Sequence, residues 1–467
     1  MTLWLKWWSL VRLLRPAFSR EQTFLWFAAA LAAATIRGDQ AGVTSFVRAL
    51  ALAPRLYGQL LAAFHSPAIK IDKLTALWTA IVIKSFPGIV RIKGRLVLLG
   101  DGIKRGKEGR KMPGVKCLHQ ESASNSKPAY IMGHSCQVLA ALTNVAGYFF
   151  AVPLVSRIHE GVVFSNRDRR TLMDKMLAML VELTLPTSAY LVLDAYYANR
   201  KMVFGLIQQG HHLVSRVKTT AVAYYKAPVP TKKRRGRPKF YGDKVTLRSL
   251  FDTAIFTAAP SPVYGESDVE IMYLVLDLLW KPVGHLLRFV LVKHPVRGKI
   301  VLMTTDLLLP ALDIIELYGL RFKIEVAFKQ AVHTIGTYAY HFWMKNMTKI
   351  KRRSGDQHLH KKTKEYRDAV VRKMRAYHAH IQLGVIAQGM MQYLSMLAHQ
   401  EVWRSFGSWL RTIRPDVLPS EQVVQSAMRN TFAEFIDGSA ESVTLAKFIG
   451  ERCTRDVQMP LKSASSE

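Results

Sequence analysis

The chain has 467 residues, of which 49% are hydrophobic and 21% charged, a composition that predicts a sizeable packed core. Its 66 basic residues outnumber 33 acidic ones, giving a net charge of +33 that indicates a polyanionic partner, nucleic acid before an anionic membrane. Three cysteines without metal-ligand spacing argue against disulfides and zinc and fit a reducing cytoplasm.

The N-terminal region, residues 1–90, has a helical pattern in which Asp39–Ser45 resembles the turn between two helices. Such a region could read DNA as a helix-turn-helix, and a helical scaffold packed on the core is the equal alternative. Phe24–Ile36 is apolar but too short to cross a membrane, which predicts a buried helix. Val138–Val155 is long enough, but Pro153 and its aromatic cluster favour strand pairing, so we expect no membrane span.

Two short apolar runs each lead into an aspartate. Arg95–Gly100 precedes Asp101, and Tyr190–Leu193 precedes Asp194. Both runs predict buried strands, and ligands of α/β sheets bind beyond the carboxyl ends of such strands. Carboxylates at two strand ends are hard oxygen ligands suited to Mg²⁺ or Mn²⁺. For either aspartate alone, a turn-forming role is the alternative.

The elements around these runs alternate between strand and helix. Strands are predicted at Ala129–Leu142 and Tyr148–Val155, followed by an amphipathic helix at Arg167–Leu183. After Asp194 we expect a helix at Asn199–Gln209 and a strand at His212–Val217.

Two basic segments lie outside these regular elements. Ile103–Pro128 predicts a long loop whose cations, among them Lys104 and Arg105, grip a phosphate backbone beside Asp101. Within a strand-rich stretch at residues 219–305, Arg235 and Arg237 belong to a Gly-Arg-Pro sequence flanked by basic residues. That sequence resembles an AT-hook, whose arginines enter an A·T minor groove; a disordered loop binding phosphates is the alternative we favour.

The stretch Ala311–His333 predicts one helix. Tyr318, Arg321, Glu325 and Lys329 follow at steps of three and four residues, which places them near one face. One carboxylate between an arginine and a lysine suits a group that holds a metal ion near a phosphate, and an exposed ladder of ion pairs is the alternative.

The C-terminal third is basic and helical. Met344–Arg375 carries a run of lysines and arginines that predicts a phosphate-binding surface. Tyr366–Leu397 predicts a long helix, and residues 401–467 predict a small helical tail.

The predicted elements follow the order of a ribonuclease H-like core. That order is three strands, a helix, a strand, a helix and a strand. On that pattern the chain resembles bacterial insertion-sequence DDE transposases, in the insertion-sequence-four-like branch with a Y-x2-R-x3-E-x6-K signature. The resemblance covers roughly Arg91–His333 and rests on four pieces. They are LLGDG at Leu98–Gly102, YLVLDAYYA at Tyr190–Ala198, TTDL at Thr304–Leu307 and YGLRFKIEVAFK at Tyr318–Lys329.

The resemblance implies site residues and a cofactor. Asp101, Asp194 and Glu325 match the family's catalytic acids, which hold two Mg²⁺ or Mn²⁺ ions. Tyr318 and Arg321 match the signature positions that contact DNA near the transposon end.

The chain departs from the signature at its last residue. The signature lysine would fall at position 332, which is Val332 here, and Lys329, one turn after Glu325, is the candidate substitute.

The expected fold is α/β, a ribonuclease H-like mixed sheet with a β-rich insertion, flanked by helical N-terminal and C-terminal regions. The expected domains are a helical DNA-binding domain, the first part of the core, the insertion with its basic loop, the second part of the core with the signature helix, and a helical C-terminal region. Their bounds are 1–90, 91–218, 219–305, 306–400 and 401–467.

The implied activity is metal-dependent cleavage and strand transfer of an insertion sequence, with double-stranded DNA at the transposon ends and the target as substrate. A homodimer, absence from membranes and a bacterial cytoplasmic, nucleoid-associated location are expected with it. A catalytically inactive, domesticated DNA-binding regulator is the main alternative. A stand-alone nuclease and a basic membrane protein are further alternatives.

Overall fold

The computed structural model describes residues 2–120, 128–228, 236, 238–409, 411–439 and 443–454. The helices, numbered in chain order, are α1 (Leu3–Val11), α2 (Glu21–Ile36), α3 (Gly42–Ala49), α4 (Tyr57–Phe64), α5 (Ile71–Ser85), α6 (Leu172–Glu182), α7 (Arg200–Gln208), α8 (Leu250–Thr253), α9 (Ala311–Leu320), α10 (Lys323–Gln330), α11 (Lys364–Leu397), α12 (His399–Phe406), α13 (Glu421–Asn430), α14 (Phe432–Ser439) and α15 (Thr444–Gly450). The strands are β1 (Arg91–Ile92), β2 (Arg95–Gly106), β3 (Lys116–His119), β4 (Tyr130–Val145), β5 (Tyr148–Ile158), β6 (Val162–Val163), β7 (Ala189–Leu193), β8 (His212–Val217), β9 (Val222–Lys226), β10 (Tyr241–Thr246), β11 (Thr257–Pro260), β12 (Glu270–Trp280), β13 (His285–His294), β14 (Gly298–Thr304) and β15 (Gln357–His358).

Thirteen strands of the described residues form one mixed sheet in the order β10-β9-β12-β13-β14-β8-β7-β2-β4-β3, with β1, β11 and β5 paired to β2, β12 and β4. In its middle, β2, β7 and β8 are parallel. On one side β4 and β5 are antiparallel to their neighbours, and on the other β14 runs antiparallel to β8. The predicted α/β class is therefore confirmed at the level of a large mixed sheet with helices.

Both faces of the central strands are buried. Along β2, Leu96 and Leu98 belong to one hydrophobic cluster, whereas Val97 and Leu99 belong to a second cluster on the opposite face. This division follows from the period-two alternation of a strand. The first cluster includes side chains of α6, α7 and α11, and the second includes side chains of α9 and α10. A continuous apolar run is what a strand covered on both faces requires.

The N-terminal helices pack into the first of these clusters. In α2, every residue from Thr23 to Ile36 is buried, as expected for a helix that is apolar on all sides. It lies against α11, α13 and α15. This packing favours the scaffold alternative for α2, and DNA binding by this region stays a prediction. Within the described residues, no helix has the length and hydrophobicity needed to cross a bilayer.

The prediction of one helix over Ala311–His333 is wrong about its continuity. The segment is helical, but the structure divides it into separate helices. The segment forms α9, then α10, then one π-helical turn at Ala331–Ile335. At the first junction the Arg321 N–H donates to the Tyr318 carbonyl (3.2 Å), so the α-helical hydrogen bond is replaced by a tighter turn. The division falls at the residue whose side chain reaches Asp101 on β2.

The loop predicted over Ile103–Pro128 is partly strand. β2 continues to Gly106, because it pairs with β4 far beyond the last residue that pairs with β7. Asp101 therefore lies within a strand rather than after one, which corrects the strand-end prediction for this aspartate. β3 occupies a further part of the predicted loop, and residues 121–127 lie outside the described residues.

The strands predicted within residues 219–305 continue the central sheet. β12, β13 and β14 follow one another in the sheet, and β14 pairs directly with β8. The five domain boundaries stay predictions.

Candidate active site

A cleft of about 750 Å³ opens where β2 extends past the end of β7. The predicted acids Asp101, Asp194 and Glu325 all line it. They come from a strand, from the loop after a neighbouring parallel strand, and from a helix that packs over the sheet. The cleft also contains cationic and aromatic side chains, namely Lys104, Lys116, Tyr196, Tyr197 and Phe328.

Asp194 follows β7 directly, as predicted, and is held by the turn that it begins. Its Oδ1 accepts a hydrogen bond from the Tyr196 N–H (3.1 Å). Its backbone carbonyl accepts one from Ser215 Oγ on β8 (2.8 Å). The carboxylate is thus fixed at the carboxyl ends of two adjacent parallel strands, where α/β sheets bind ligands.

Asp101 lies next to a glycine that packing requires. A Cβ atom added to Gly100 would lie 2.6 Å from Leu193 Cδ2 and 3.1 Å from Leu139 Cδ2, closer than carbon atoms pack. The Gly102 N–H donates to Asp101 Oδ1 (2.7 Å). Glycine at position 100 therefore leaves room for the Leu193 and Leu139 side chains beside the strand that carries Asp101.

The helix that carries Glu325 is anchored at its far end by a buried arginine. Arg37 Nη2 donates to the carbonyls of Ile335 (2.5 Å) and Gly336 (3.0 Å). Gln40 Nε2 donates to the His333 carbonyl (2.8 Å). A cation is favourable at a helix C-terminus, where carbonyl groups have no intrahelical partner. Residues between α2 and α3 thus hold the segment that follows the helix of Glu325.

Arg321 joins two of the predicted acids. Its Nη1 donates to Asp101 Oδ2 (2.9 Å) and its Nη2 to Glu325 Oε1 (2.8 Å). The Arg321 and Asp101 side chains are 18% and 19% exposed, whereas Glu325 is 57% exposed. One guanidinium therefore neutralises a partly buried carboxylate and an exposed one that are far apart in the sequence.

The pKa of Asp101 reflects its burial and the acids around it. It is raised from 3.8 to about 6, mainly by burial, and that value includes smaller upward contributions from the charges of Asp194 and Glu325. The Gly102 N–H and Arg321 oppose the rise without cancelling it. A raised carboxyl pKa with other carboxylates nearby indicates a site where a bound cation would stabilise the ionised acids.

The three acids fit a divalent metal in kind but are not arranged around one. Three carboxylates in one cleft are the oxygen ligands that Mg²⁺ and Mn²⁺ prefer. Among the residues that the structure describes, however, no three His, Cys, Asp or Glu side chains form a group that could hold a metal ion. The Arg321 guanidinium instead bonds to Asp101 and Glu325. The predicted metal ligands are therefore present without a preformed metal centre.

The remaining predicted residues of the signature helix flank this pair. Tyr318 is half-buried one turn before Arg321, and burial raises its pKa. Lys329 is exposed one turn after Glu325. Their contacts with DNA stay predictions.

The predicted basic residues of the loop after Asp101 lie on β2, whereas those of the Gly-Arg-Pro sequence fall outside the described residues. Lys104 lies on β2 in the cleft, and its Nζ donates to the His119 carbonyl of β3 (2.8 Å). Arg105 is half-buried on the same strand. Arg235 and Arg237 lie outside the described residues.

Three residues of the site were not identified from the sequence. Tyr196 is 58% exposed in the cleft, and buried Tyr197 accepts a hydrogen bond from Gln137 Nε2 at its hydroxyl (2.9 Å). Burial and the nearby charges of Asp101 and Asp194 raise the pKa of Tyr197. The two tyrosines come two and three residues after Asp194, which was the available signal, whereas Gln137 is brought in only by strand pairing.

Comparisons with known proteins identify a family and a similar solved structure. A family model described as DDE superfamily endonuclease matches residues 13–255, which include Asp101 and Asp194 but not Glu325. No curated protein matches the chain. The chain is similar to one in a cryo-EM structure of a piggyBac transposase synaptic complex with hairpin DNA, with 10% identity and a TM-score of 0.39, covering 94% of this chain and 78% of that one.

Proposed function

This chain belongs to the DDE superfamily endonucleases, and we propose that it acts as a DDE transposase that cuts DNA at the ends of an insertion sequence and transfers the cut strand to target DNA. We further propose that two copies act together on duplex DNA, because such an element has two ends. The net charge of +33 supports a polyanionic substrate of this kind.

The observation that carries the proposal is the meeting of three acids in one cleft. Asp101 and Glu325 bond to the same guanidinium, and Asp194 lines the same cavity. The third acid lies outside the stretch that the family model matches, so its presence in the cleft is independent support. A ladder of ion pairs confined to the helix would leave Asp101 unexplained.

The order of elements supports a finer assignment to a ribonuclease H-like core. Apart from the short strands β1, β3 and β6, the chain runs β2, β4, β5, α6, β7, α7, β8, which is the expected succession. Tyr318, Arg321 and Glu325 support the insertion-sequence branch with the Y-R-E-K signature. The five segments predicted from the sequence are the proposed domains.

In the proposed mechanism, Asp101, Asp194 and Glu325 would hold two divalent cations. When bound, Mg²⁺ or Mn²⁺ supplies a water of lowered pKa and neutralises charge at the scissile phosphate. Lys104 reaches the substrate from β2 and neutralises phosphate charge next to the acids. Tyr196 offers an exposed ring to a sugar or base beside Asp194.

The other predicted DNA contacts act at a distance from the acids. Arg105 and Lys329 position the phosphate backbone, and Arg235 and Arg237 add sequence-tolerant binding from residues 219–305.

One observation favours a second candidate, an inactive DNA-binding regulator. Within the described part of the chain, the acids are not arranged as a metal centre, and Arg321 already neutralises two of them. A chain that has lost catalysis would keep its basic surface and its fold.

A plasmid nicking assay separates the two candidates. The substrate is supercoiled DNA carrying the genomic regions that flank the coding sequence, with Mg²⁺ or EDTA. The variants are Asp101→Asn, Asp194→Asn and Glu325→Gln, and the matched control is Asp252→Asn, which removes a carboxylate exposed on α8.

A transposase should nick and join strands with Mg²⁺ only, and each of the three site variants should lose about 100-fold or more of the rate. The control should keep the wild-type rate. Full activity of Asp194→Asn would overturn the site, and DNA binding without any cleavage would favour the regulator.

A further inference from the structure

The position of Arg321 conflicts with the metal centre that the acids suggest. We infer that Arg321 is a substrate-controlled gate, which bonds to Asp101 and Glu325 in the DNA-free protein and must transfer to a DNA phosphate before a divalent cation binds. This inference rests on the proposed function. It adds an order to the reaction, with DNA bound before the cation.

The first support is that Arg321 bonds to oxygens that a cation would need. Asp101 Oδ2 accepts from Arg321 Nη1 (2.9 Å), while Asp101 Oδ1 accepts from the Gly102 N–H (2.7 Å). Glu325 Oε1 accepts from Arg321 Nη2 (2.8 Å). A guanidinium and a divalent cation cannot lie between the same two carboxylates, because like charges repel at that distance.

The second support is the balance of charge. Asp101, Asp194 and Glu325 line one cleft and carry three formal negative charges when ionised. Arg321 supplies a single positive charge. One positive charge does not balance three negative ones. A divalent cation would therefore bind these acids more strongly than Arg321 does, once Arg321 binds a DNA phosphate instead.

The third support is that Arg321 lies at the junction of two helices. Arg321 follows the last residue of α9. Its backbone N–H donates to the carbonyl of Tyr318, three residues earlier, and not to the carbonyl four residues earlier as in an α-helix. A DNA phosphate bound beside this junction would attract the Arg321 guanidinium, which binds phosphate in the same forked way as carboxylate.

A permanent structural brace is the opposing interpretation. In that case Arg321 would hold Asp101 and Glu325 in position for the cation throughout the reaction. The two interpretations predict opposite effects of removing the guanidinium on cation affinity, so that affinity decides between them.

The test is a calorimetric titration of the full chain with Mn²⁺, with and without a short DNA duplex of arbitrary sequence. Arg321→Gln removes the charge and keeps a polar side chain. Arg288→Gln is the matched control, because Arg288 makes the same forked contact with Asp277 (2.8 Å) on β12 and β13, outside the cleft.

For a gate, Arg321→Gln should bind Mn²⁺ about tenfold more tightly than wild type without DNA, the change expected for losing one competing charged hydrogen-bond pair. DNA should tighten Mn²⁺ binding about tenfold in wild type and much less in Arg321→Gln, whereas the control should behave as wild type. Equal or weaker Mn²⁺ binding by Arg321→Gln without DNA would overturn the gate.

Two further variants make every outcome interpretable. If Arg321→Gln does not fold, Arg321→Lys keeps the charge but loses the fork, and should bind Mn²⁺ more tightly than wild type without DNA; unchanged affinity would overturn the gate. Asp101→Asn should abolish Mn²⁺ binding. If it does so while Arg321→Gln shows no tightening, the gate fails and the proposed site stands. If wild type binds no Mn²⁺ with or without DNA, the proposed function fails as well.

Discussion

Replacing Asp101 with asparagine should make the folded protein more stable at neutral pH while removing nuclease activity. The carboxylate lies on β2 beside β4, past the last residue that pairs with β7, and Asp194 and Glu325 are its charged neighbours. Asparagine keeps the size of the side chain and removes the charge. Higher stability together with lost activity would mark Asp101 as a residue retained for catalysis at the expense of stability.

The magnitude follows from the titration of Asp101. Its pKa is 3.8 in the unfolded chain and about 6 in the folded protein, and at about 1.4 kcal/mol per pKa unit the ionised form costs the folded state about 3 kcal/mol. The opposing effect of Arg321 is already included in that shift. Because the asparagine amide replaces an ion-pair partner of Arg321, we expect a net gain of about 1–3 kcal/mol.

The difference in stability between Asp101→Asn and wild type depends on pH. A folded-state pKa above the unfolded value means that wild type loses stability as the pH rises from 3.8 to about 6. The advantage of Asp101→Asn should therefore be full above about pH 6 and disappear towards pH 3.8. Thermal unfolding followed by circular dichroism across this range measures it.

A control variant tests whether the gain is specific. Asp252 is exposed, and its hydrogen bond to Lys299 lowers its pKa, so Asp252→Asn should not stabilise the protein. If Asp101→Asn is less stable than wild type at neutral pH, or if its advantage does not change with pH, the reasoning about clustered acids is refuted.

Two glycine substitutions test how the site is built. Gly100→Ala should destabilise the fold by about 1–3 kcal/mol, because the new Cβ would lie 2.6 Å from Leu193 Cδ2; chemical denaturation measures it, and a neutral result would show that the Leu193 side chain moves aside without cost. Gly336 has a φ of +68° and an added Cβ would meet the Arg37 guanidinium, so Gly336→Ala should cost about 1–3 kcal/mol. It should also increase hydrogen exchange in α10, and unchanged exchange there would show that Arg37 does not anchor the helix.

Local patterns in the sequence predicted much of the architecture. The bounds of β8 are those expected, and α11 differs from the predicted helix only at its N-terminal end. The position of Asp194 directly after β7 was likewise predicted. In each case the signal is contained in a short apolar run or a periodic stretch, where burial of neighbouring residues decides the structure.

The features that the sequence did not reveal depend on distant partners. Asp101 lies within β2 because β4 pairs with that strand, and the division between α9 and α10 falls at the arginine that bonds to Asp101. The contacts of Arg37 with Ile335 and Gly336 join the N-terminal region to the segment that follows the helix of Glu325. Nothing in the spacing of residues around either partner indicates such contacts.

Direct pairing of β14 with β8 limits how this protein could be shortened. Excising residues 219–305 would remove β14 and leave the backbone amides and carbonyls of one side of β8 without partners. An uncovered strand of this kind recruits other chains and promotes aggregation. A smaller version would therefore need a replacement strand or a charged cap along β8, and a flexible linker across the gap would be insufficient.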